Sequence, residues 1–335
     1  MPIPKISVLI PFKNTATYLP ECIDSILNQT FSEWEAIFVD DDSTDESAEI
    51  VRSYVKKDSR ICCKKNNGVG IIDALQTGYT NCQGDFISRM DSDDVMMPQK
   101  LEAMYKDLCR HGEGHIALGL VEYFSEIGVS EGYKKYELWL NGLISKGDNF
   151  SELYKECVIP SPCWMVYRSD FDRCGGFQNN IYPEDYDLTF RFFQQGLRCI
   201  PSKKILHCWR DYAIRTSRTS PHYAENSFLE LKINYFLELS FDRSKTLVLW
   251  GAGKKGKKLA SMLISRHIHF EWICDNTKKI GKNIYGKILK PWTILSESKQ
   301  SQSIITVANE EAQEFIKSYF KQEHKKHMQD YFFFC

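Results

Sequence analysis

Three carboxylates within four residues follow an apolar run in Phe86-Ile87-Ser88-Arg89-Met90-Asp91-Ser92-Asp93-Asp94-Val95-Met96-Met97-Pro98. The run predicts a buried strand over residues 85–90. Carboxylates this close repel one another unless a cation lies among them. Oxygen ligands with little histidine nearby suit Mg²⁺ or Mn²⁺ better than Zn²⁺, and these two ions commonly neutralise phosphate oxygens. The stretch therefore indicates either a site for Mg²⁺ or Mn²⁺, or an acidic turn that caps the helix starting at Pro98.

The chain before this stretch alternates between strand and helix patterns. Buried-type strands are predicted at residues 6–11, 36–39 and 60–64. Such alternation predicts a parallel, doubly wound sheet, in which ligands bind beyond the carboxyl ends of the strands. Polar clusters follow three of the predicted strands, at residues 11–15, 40–45 and 91–94. We therefore expect one crevice that binds a phosphate-bearing ligand through a metal ion.

The middle of the chain is less regular. Strands are predicted over residues 115–125 and 163–167, and an amphipathic helix over 133–145. Pro183 suits the first turn of a further helix, where the carboxylates of Glu184, Asp185 and Asp187 meet its positive end. Helix capping and a catalytic role are both open for these residues. Residues 209–218 are basic without periodicity, which predicts a loop over an anionic ligand, and residues 223–239 predict a helix.

A second sequence unit begins with the strand pattern Thr246–Trp250. It continues as Gly251-Ala252-Gly253-Lys254-Lys255-Gly256 and a helix, so that Gly251, Gly253 and Gly256 form a G-x-G-x-x-G motif. Asp275 ends the next predicted strand, at the spacing of a ribose-reading acidic residue. The motif predicts a nucleotide or anion site, although glycine there also permits tight packing between strand and helix. Strands over 303–307 and 331–334 and a helix over 310–320 follow.

The length allows one large domain or two ordinary ones, and the second unit that begins at Thr246 favours two. We place them at residues 1–220 and 245–335 of the 335, with a helical linker at 221–244. No apolar run approaches the roughly 18 residues of a membrane span, and no signal-peptide pattern opens the chain. The 12 cysteines are scattered without a C-x-x-C pair. These features predict a cytoplasmic protein.

The first 220 residues resemble family 2 glycosyltransferases, which move sugars from nucleotide-diphosphate donors. The resemblance rests on four ordered motifs: Val8-Leu9-Ile10-Pro11 with Asn14, Val39-Asp40-Asp41-Asp42-Ser43-Thr44-Asp45, Arg89-Met90-Asp91-Ser92-Asp93-Asp94, and Glu184-Asp185. It implies an α/β fold of the GT-A type, with a doubly wound, mostly parallel sheet. Residues 245–335 resemble the small Rossmann-like domain appended in one branch of this family.

The resemblance also implies roles for particular residues. Asp93 is the expected main ligand of Mn²⁺ or Mg²⁺, with Asp91 beside it, and Asp185 is the expected general base, with Glu184 near the acceptor. Residues expected to bind the nucleotide sugar are Pro11, Asn14, Asp41, Arg89, Asp91, Arg210 and Arg215. Displacing a nucleotide diphosphate leaves charge that a metal ion and a basic loop can stabilise. Direct attack by a hydroxyl inverts the anomeric centre.

Two positions depart from the family pattern. Asp42 stands where the family usually has glycine, which bears on the local turn. Many relatives carry Tyr-Arg-x-His near the diphosphate, whereas this chain has Trp209-Arg210-Asp211-Tyr212. His207 either compensates for the missing histidine or is a buried structural residue. Arg210, Arg215 and Arg218 are then the candidates for binding the departing diphosphate.

The expected activity is inverting, metal-dependent transfer of a hexose, with a UDP-sugar as the favoured donor. The closest likeness is to the branch that contains a queuosine tRNA galactosyltransferase, so a tRNA nucleoside is one expected acceptor and a surface glycan or glycolipid is another. From residue 243 onward the sequence contains 17 Lys and Arg but only 8 Asp and Glu. This excess of positive charge suits a polyanionic partner or a solvated basic surface. The alternatives are an NAD(P)-dependent oxidoreductase and a nucleotide-sensing scaffold, both using the glycine motif at residues 251–256.

Overall fold

The computed structural model describes residues 4–178, 181–215, 218, 228–297 and 300–335. The chain separates into two compact units. The first contains the described residues of 4–150 and 158–218, and the second contains 151–157 together with the described residues of 228–335. The helix at Leu229–Leu239 lies in the part of the chain that we expected as a linker, and it belongs to the second unit. Residues 223–227 of the predicted helix lie outside the described residues.

The strands of the first unit form two sheets. In chain order they are β1 Ile6–Phe12, β2 Trp34–Asp40, β3 Ile61–Lys65, β4 Phe86–Arg89, β5 Val95–Met96, β6 His115–Leu118, β7 Leu120–Phe124, β8 Trp164–Tyr167, β9 Arg198–Ile200 and β10 Ile205–Arg210. The helices between them are α1 Leu19–Leu27, α2 Ser47–Val55, α3 Ile71–Thr80, α4 Lys100–His111, α5 Glu131–Ile144, α6 Arg168–Arg173 and α7 Glu184–Gln194, and a short 3₁₀ helix spans Asn149–Glu152.

The large sheet has the order β3-β2-β1-β4-β8-β6-β9. Strands β3, β2, β1 and β4 are parallel, and β8 runs antiparallel to both β4 and β6. Residues 6–10 of β1 are completely buried, as a central parallel strand covered on both faces requires. The prediction of a mostly parallel, doubly wound α/β sheet is confirmed.

The predicted single strand over residues 115–125 is wrong. It breaks at Gly119 into β6 of the large sheet and β7 of a small sheet with the order β5-β10-β7. A Cβ atom at Gly119 would lie 2.5 Å from Cβ of Leu206, so only glycine lets β10 approach this closely. Trp209 and Arg210, expected in a loop, instead end strand β10.

The outer edge of the small sheet is closed by side chains of α5. The Tyr123 N–H donates to Glu137 Oε2 at 2.6 Å. Asn141 accepts from the Val121 N–H at 3.0 Å and donates to the Val121 carbonyl at 2.8 Å. These bonds satisfy backbone groups that an edge strand would otherwise leave open. They fix α5 against β7.

The second unit contains a five-stranded parallel sheet. Its strands are β11 Thr246–Trp250, β12 Glu271–Cys274, β15 Lys290–Pro291, β16 Ser301–Ile305 and β17 Tyr331–Phe333, in the order β15-β12-β11-β16-β17, and a separate hairpin joins β13 Asn283–Ile284 to β14 Lys287–Ile288. The helices are α8 Leu229–Leu239, α9 Lys254–Ser265 and α10 Glu310–Gln322, with a 3₁₀ helix at Trp292–Glu297. Strand β17 is buried, as its aromatic run predicts. Within the described ranges, every helix is too short or too polar to cross a lipid bilayer.

Candidate functional site

The polar clusters that follow β1, β2 and β4 lie side by side, because these strands are neighbours in the parallel sheet. Asn14 Oδ1 accepts a hydrogen bond from the Thr44 N–H at 2.7 Å, which ties the first loop to the second. Thr15 Oγ1 and Ser92 Oγ share a hydrogen bond of 3.1 Å, which ties the first loop to the third. Asp42 has a φ of +56°, the conformation that the family's glycine adopts readily and that Asp tolerates. The three predicted clusters therefore form one edge.

The side chain of Asp41 is held at this edge by three neighbouring groups. Its Oδ1 accepts from Asn66 Nδ2 at 2.7 Å and from the Gly70 N–H at 2.8 Å. Its Oδ2 faces Lys13 Nζ at 3.4 Å. Pro11 lies on the adjacent strand, opposite Val39. The carboxylate is thus positioned by three donors from two segments, the loop after β1 and the loop after β3, which suits a fixed binding contact more than a solvated turn.

Arg89 joins two groups that are far apart in the sequence. Its Nη1 donates to Glu184 Oε1 at 2.8 Å, and its Nη2 donates to Asp91 Oδ1 at 3.1 Å. The side chains of Arg89 and Glu184 are only 4% and 2% exposed, so both charges depend on this pairing. The start of α7 is therefore held against the end of β4.

Asp185, next to Glu184, has a perturbed acidity. Burial raises its pKa to about 7, and the Glu184 carboxylate adds to the rise while Arg89 opposes it. A carboxyl group with a pKa near neutrality is suited to accept a proton. Asp187 differs, because it is bound to Arg191 at 2.7 Å and that arginine also donates to the Cys174 and Gly176 carbonyls. Of the acidic residues in the first turn of α7, Asp187 is structural.

Asp93 contacts a tyrosine that the sequence analysis did not select. The Tyr212 hydroxyl donates to Asp93 Oδ2 at 2.8 Å, and Arg210 Nε donates to the Asp93 carbonyl at 2.7 Å. Burial and the neighbouring Asp94 raise the pKa of Asp93 to about 7. Tyr212 occupies the position where the family pattern has histidine. The alignment of Trp209-Arg210-Asp211-Tyr212 with the family's Tyr-Arg-x-His could therefore have identified Tyr212 as a site residue from the sequence.

Asp94 is fully buried in a polar chain behind the site. It accepts from the Arg210 N–H at 2.8 Å and from His207 Nε2 at 2.9 Å. His207 Nδ1 faces Lys100 Nζ at 3.2 Å, and Lys100 also donates to the Pro162 carbonyl at 2.5 Å. Because lysine can only donate, Nδ1 accepts and Nε2 carries the proton. Burial also lowers the pKa of His207 well below its usual value, so the ring is neutral and structural.

Replacing Lys100 tests this chain. Lys100→Met keeps the buried methylene groups but leaves the Pro162 carbonyl and His207 Nδ1 without their donor. We expect the free energy of unfolding to fall by about 1–3 kcal/mol, measured by urea denaturation. Lys106→Met, on the exposed face of the same helix, is the control and should change it by less than about 0.5 kcal/mol. Equal effects of the two variants would show that the chain does not stabilise the fold.

The three arginines near the site differ in their surroundings. Arg210 is engaged by protein groups, since it also donates to the Glu21 carboxylate and lies over the rings of Tyr18 and Phe124. Arg218 donates to both carboxylate oxygens of Asp211. Arg215 lies over the Trp209 ring at 5.1 Å. Although burial lowers it, the pKa of Arg215 is raised overall by the carboxylates of Asp94 and Asp93. Of these three arginines, Arg215 is the one whose pKa the carboxylates of the acidic edge raise.

A divalent cation fits this edge only with help from a ligand. Among the described residues, no three His, Cys, Asp or Glu side chains are grouped so as to enclose a metal ion. Within the same residues, Asp93 Oδ1 and Asp91 Oδ2 accept no hydrogen bond, so both can coordinate. Mg²⁺ and ions like it are commonly held by one or two carboxylates, with phosphate and water oxygens completing the shell. The residues present fit that pattern.

Tyr212→Phe tests the hydrogen bond to Asp93. The change removes one hydroxyl and keeps the ring, whose centroid lies 4.7 Å from that of Tyr18. A partner that orients a metal ligand typically contributes about 10- to 100-fold to affinity, and we expect a loss of that size in the apparent affinity for Mn²⁺, measured by calorimetry with nucleotide present. Tyr18→Phe removes a hydroxyl from the neighbouring ring and should leave the affinity unchanged. An unchanged affinity in Tyr212→Phe would exclude a role for the bond.

The glycine motif of the second unit is used partly for packing. Gly251 has a φ of +121°, and a Cβ atom there would lie 2.6 Å from Thr306 Oγ1. A Cβ atom at Gly256 would lie 2.2 Å from the Gly251 carbonyl oxygen, whereas one at Gly253 would meet nothing within 4 Å. Asp275 Oδ1 accepts from Trp250 Nε1 at 3.0 Å. Packing therefore accounts for Gly251 and Gly256, and a ligand role for Gly253 and Asp275 stays a prediction.

Comparison with known proteins gives consistent matches. The family model described as Glycosyl transferase family 2 matches residues 7–175. Glycosyltransferase GlyA of Streptococcus pneumoniae is 36% identical over 215 residues, covering 62% of this chain and 30% of GlyA. The putative glycosyltransferase EpsE of Bacillus subtilis is 28% identical over 233 residues, covering 68% of this chain and 80% of EpsE. The match thus spans less than a third of GlyA but most of EpsE.

Two solved structures share the fold. TarS of S. aureus, residues 1–349 in complex with UDP, has a TM-score of 0.51 at 17% identity and covers 78% of this chain and 71% of that one. The mannosyltransferase PcManGT from Pyrobaculum calidifontis, in complex with GDP-Man and Mn²⁺, has a TM-score of 0.52 at 17% identity. The match covers 70% of this chain and 64% of PcManGT. At this identity the likeness concerns the fold alone.

Proposed function

Since the chain belongs to glycosyl transferase family 2 and shares the GT-A fold, we propose that it transfers a hexose from a nucleotide-diphosphate sugar to an acceptor hydroxyl. A UDP-sugar is the proposed donor. The ligands named for the fold neighbours support a nucleotide sugar in general, because TarS is described with UDP and PcManGT with GDP-Man and Mn²⁺.

One observation carries the proposal. Arg89 holds Asp91, on the metal-binding side, and Glu184, beside the proposed base, with one guanidinium group. Transfer needs a charged leaving group and a proton acceptor on opposite sides of one carbon atom. The two hydrogen bonds of Arg89 therefore hold the proposed metal-binding residue Asp91 and the segment of the proposed base Asp185 at the same edge of the sheet. A solvated acidic turn or a simple helix cap would not need these two bonds.

Each site residue then has a proposed role in the transfer. Asp185 accepts the proton of the attacking hydroxyl, helped by a pKa of about 7. Direct attack opposite the leaving group inverts the anomeric centre. Arg215 stabilises the departing diphosphate. Asp41, Pro11 and Asn14 position the base and ribose.

Asp93 and Asp91 would hold Mn²⁺ or Mg²⁺, which when bound supplies positive charge against the diphosphate. Asp93 Oδ1 and Asp91 Oδ2, which accept no hydrogen bond from a described residue, support this assignment.

For the acceptor, we propose a hydroxyl on an anionic molecule, with a queuosine-type tRNA nucleoside preferred to a surface glycan or glycolipid. The excess of basic residues from position 243 onward supports an anionic partner. Binding of tRNA should weaken steeply between low and high salt, because each phosphate contact releases counterions. Binding that is absent, or indifferent to salt, would exclude tRNA.

The oxidoreductase and nucleotide-sensor alternatives depend on the glycine motif of the second unit. Their support is weaker because Asp275, the expected ribose ligand, accepts a bond from Trp250, and Lys279 Nζ donates to the Ala252 carbonyl within the motif at 2.9 Å. No observation in the described part of the second unit specifically favours a redox cofactor.

Thermal unfolding with added ligands tests the function. UDP with Mn²⁺ should raise the melting temperature, since a ligand at 100 times its Kd adds about 2.7 kcal/mol of stability. GDP with Mn²⁺ is the comparison for the base, and NAD is the comparison for the oxidoreductase. A shift with NAD and none with either nucleotide diphosphate would overturn the proposal. Release of free hexose from a panel of nucleotide sugars then identifies the donor.

A further inference from the structure

The first unit contains an open cavity of about 610 Å³ at one end of its large sheet, between α2 and the edge strand β3. The charged residues that line it are the cations Arg52, Lys56, Lys64 and Lys65 and the acids Asp40 and Asp42. The surplus of cations is unusual for this part of the chain, because before residue 243 the sequence has 36 Asp and Glu but only 26 Lys and Arg. The cavity is therefore a local positive site in an acidic surrounding.

One wall of the cavity comes from the C-terminal end of α2. Arg52 and Lys56 are four positions apart, so they lie on the same side of the helix, and both are exposed. Burial raises the pKa of the Cys63 thiol on β3, and the charge of Arg52 opposes that rise, which places the guanidinium group near the strand. The two cations therefore face the cavity together.

The opposite wall is the end of β3. Strand β3 pairs in parallel with β2, so that Lys65 lies beside Asp40. Lys65 Nζ binds Asp42 Oδ1 at 3.1 Å, and Asp40 Oδ1 accepts from the Ser43 N–H at 2.9 Å. Both acidic residues of the cavity are thus already engaged by neighbouring groups.

The positive charge of the cavity is not balanced internally. Among the described residues, no carboxylate pairs with Lys56 or Lys64. Arg52 pairs with Glu49 at 3.1 Å, but the two side chains are 58% and 68% exposed, and an ion pair this exposed holds its partners only weakly. These cations are therefore available to an anion from outside the chain.

The cavity adjoins the acidic edge of the sheet. Ser43 and Thr44 line the cavity, and the same two residues are bound to the first loop: the Asn14 N–H donates to Ser43 Oγ at 3.2 Å, and the Thr44 N–H donates to Asn14 Oδ1 at 2.7 Å. Asp41 lies outside the cavity lining, because its carboxylate turns to the loop after β3. A chain held in the cavity would thus pass beside the proposed donor site without occupying it.

We propose that this cavity binds the phosphodiester backbone of an RNA acceptor through Arg52, Lys56 and Lys65. The inference rests on the proposed function, which takes the acceptor to be anionic and prefers tRNA. Exposed lysine and arginine side chains around an open cavity suit a chain of phosphates, because several weak contacts and the release of counterions then add up. A small ligand would instead be largely enclosed by its pocket. Contacts to the backbone would fix the position of the RNA next to the donor.

Fluorescence anisotropy of unfractionated tRNA, measured across a range of KCl concentrations, tests the inference. Arg52→Gln/Lys56→Gln should bind tRNA more weakly at low salt. The slope of log K against log[KCl] should become shallower by about 1.4–1.8, because each phosphate contact contributes about 0.7–0.9. Lys65→Gln, from the opposite wall, is an independent measurement and should make the slope shallower by about 0.7–0.9.

Lys57→Gln/Arg110→Gln is the matched control. It removes the same charge from two exposed residues of the first unit that do not line the cavity, and the Lys57 ammonium lies 4.9 Å from the centre of the Tyr54 ring. The control should leave the slope unchanged. Thermal unfolding establishes that each variant is folded, and calorimetry with UDP and Mn²⁺ should give the wild-type affinity in all of them.

Unchanged slopes in the cavity variants, or an equal change in the control, would overturn the inference and leave the proposed function intact. A matching loss of UDP affinity would assign the cavity to the donor, and displacement of tRNA by an equal concentration of pyrophosphate would assign it to a small phosphate ligand; either result overturns the inference. Wild type that binds UDP with Mn²⁺ but no tRNA would overturn both the inference and the RNA acceptor. Wild type that binds neither would overturn the proposed function itself.

Discussion

Asp185→Asn is expected to lower kcat for sugar transfer by about 10²- to 10⁴-fold, the usual contribution of a general base. Asparagine keeps the size of the side chain but cannot accept the proton of the attacking hydroxyl. Nucleotide binding should stay within about threefold, because the contacts proposed for the nucleotide come from other residues. The measurement is steady-state transfer together with calorimetry of UDP and Mn²⁺.

The pH dependence gives an independent readout of the same role. Because burial and Glu184 raise the pKa of Asp185 to about 7, the base is protonated and inactive below that pH and ionised above it. kcat/KM should therefore rise with pH and level off above about 7. At saturating Mn²⁺, where protonation of Asp93 no longer limits metal binding, the residual rate of Asp185→Asn should not rise with pH in this way.

Asp187→Asn is the contrast on the same helix. Its carboxylate pairs with Arg191, so the change should lower the free energy of unfolding while leaving kcat of the folded protein within a few fold. A fully active Asp185→Asn, or a kcat lost equally in both variants, would remove Asp185 from the role of base.

Asp93→Asn should abolish the part of the melting-temperature rise that depends on Mn²⁺, with a loss of at least about 100-fold in apparent metal affinity. Removing a metal ligand should lower the metal affinity at least as much as removing a residue that only orients such a ligand, which typically lowers it about 10- to 100-fold. Weaker binding of the UDP-sugar should follow, because the cation and the diphosphate complete each other's coordination. Thermal unfolding with UDP, with and without Mn²⁺, is the measurement.

Protons should compete with the metal ion at this residue in the wild type. Burial and Asp94 raise the pKa of Asp93 to about 7, so the carboxylate takes up a proton as the pH falls below that value. Ligands bind metal in their deprotonated form, and the affinity for Mn²⁺ should therefore fall below pH 7 and level off above it.

Asp42→Asn is the control, since Asp42 is exposed, pairs with Lys65 and has a positive φ that asparagine also tolerates. It should leave the Mn²⁺-dependent shift intact. An undiminished shift in Asp93→Asn would mean that the cation is held elsewhere.

Residues close together in the sequence accounted for most of what was predicted correctly. Apolar runs and helical spacing gave the alternating strands and helices, because the periods of 2 and 3.6 residues are properties of neighbouring positions. The three acidic or polar strand ends followed from the same patterns, since parallel neighbouring strands place their carboxyl ends at one edge. The break at Gly119 was missed because it depends on how closely Leu206 approaches from another strand.

The sequence alone was thus enough to determine the α/β class, the acidic edge of the sheet and the family. Only the tertiary structure decided what surrounds the acidic residues: Tyr212 on Asp93, His207 and Lys100 behind Asp94, and Arg89 between Asp91 and Glu184. Tyr212 and Asp93 are 119 positions apart, and His207 and Asp94 are 113 apart. A local pattern reports which face of an element is buried, but it carries no information about which distant side chain will be packed against that face.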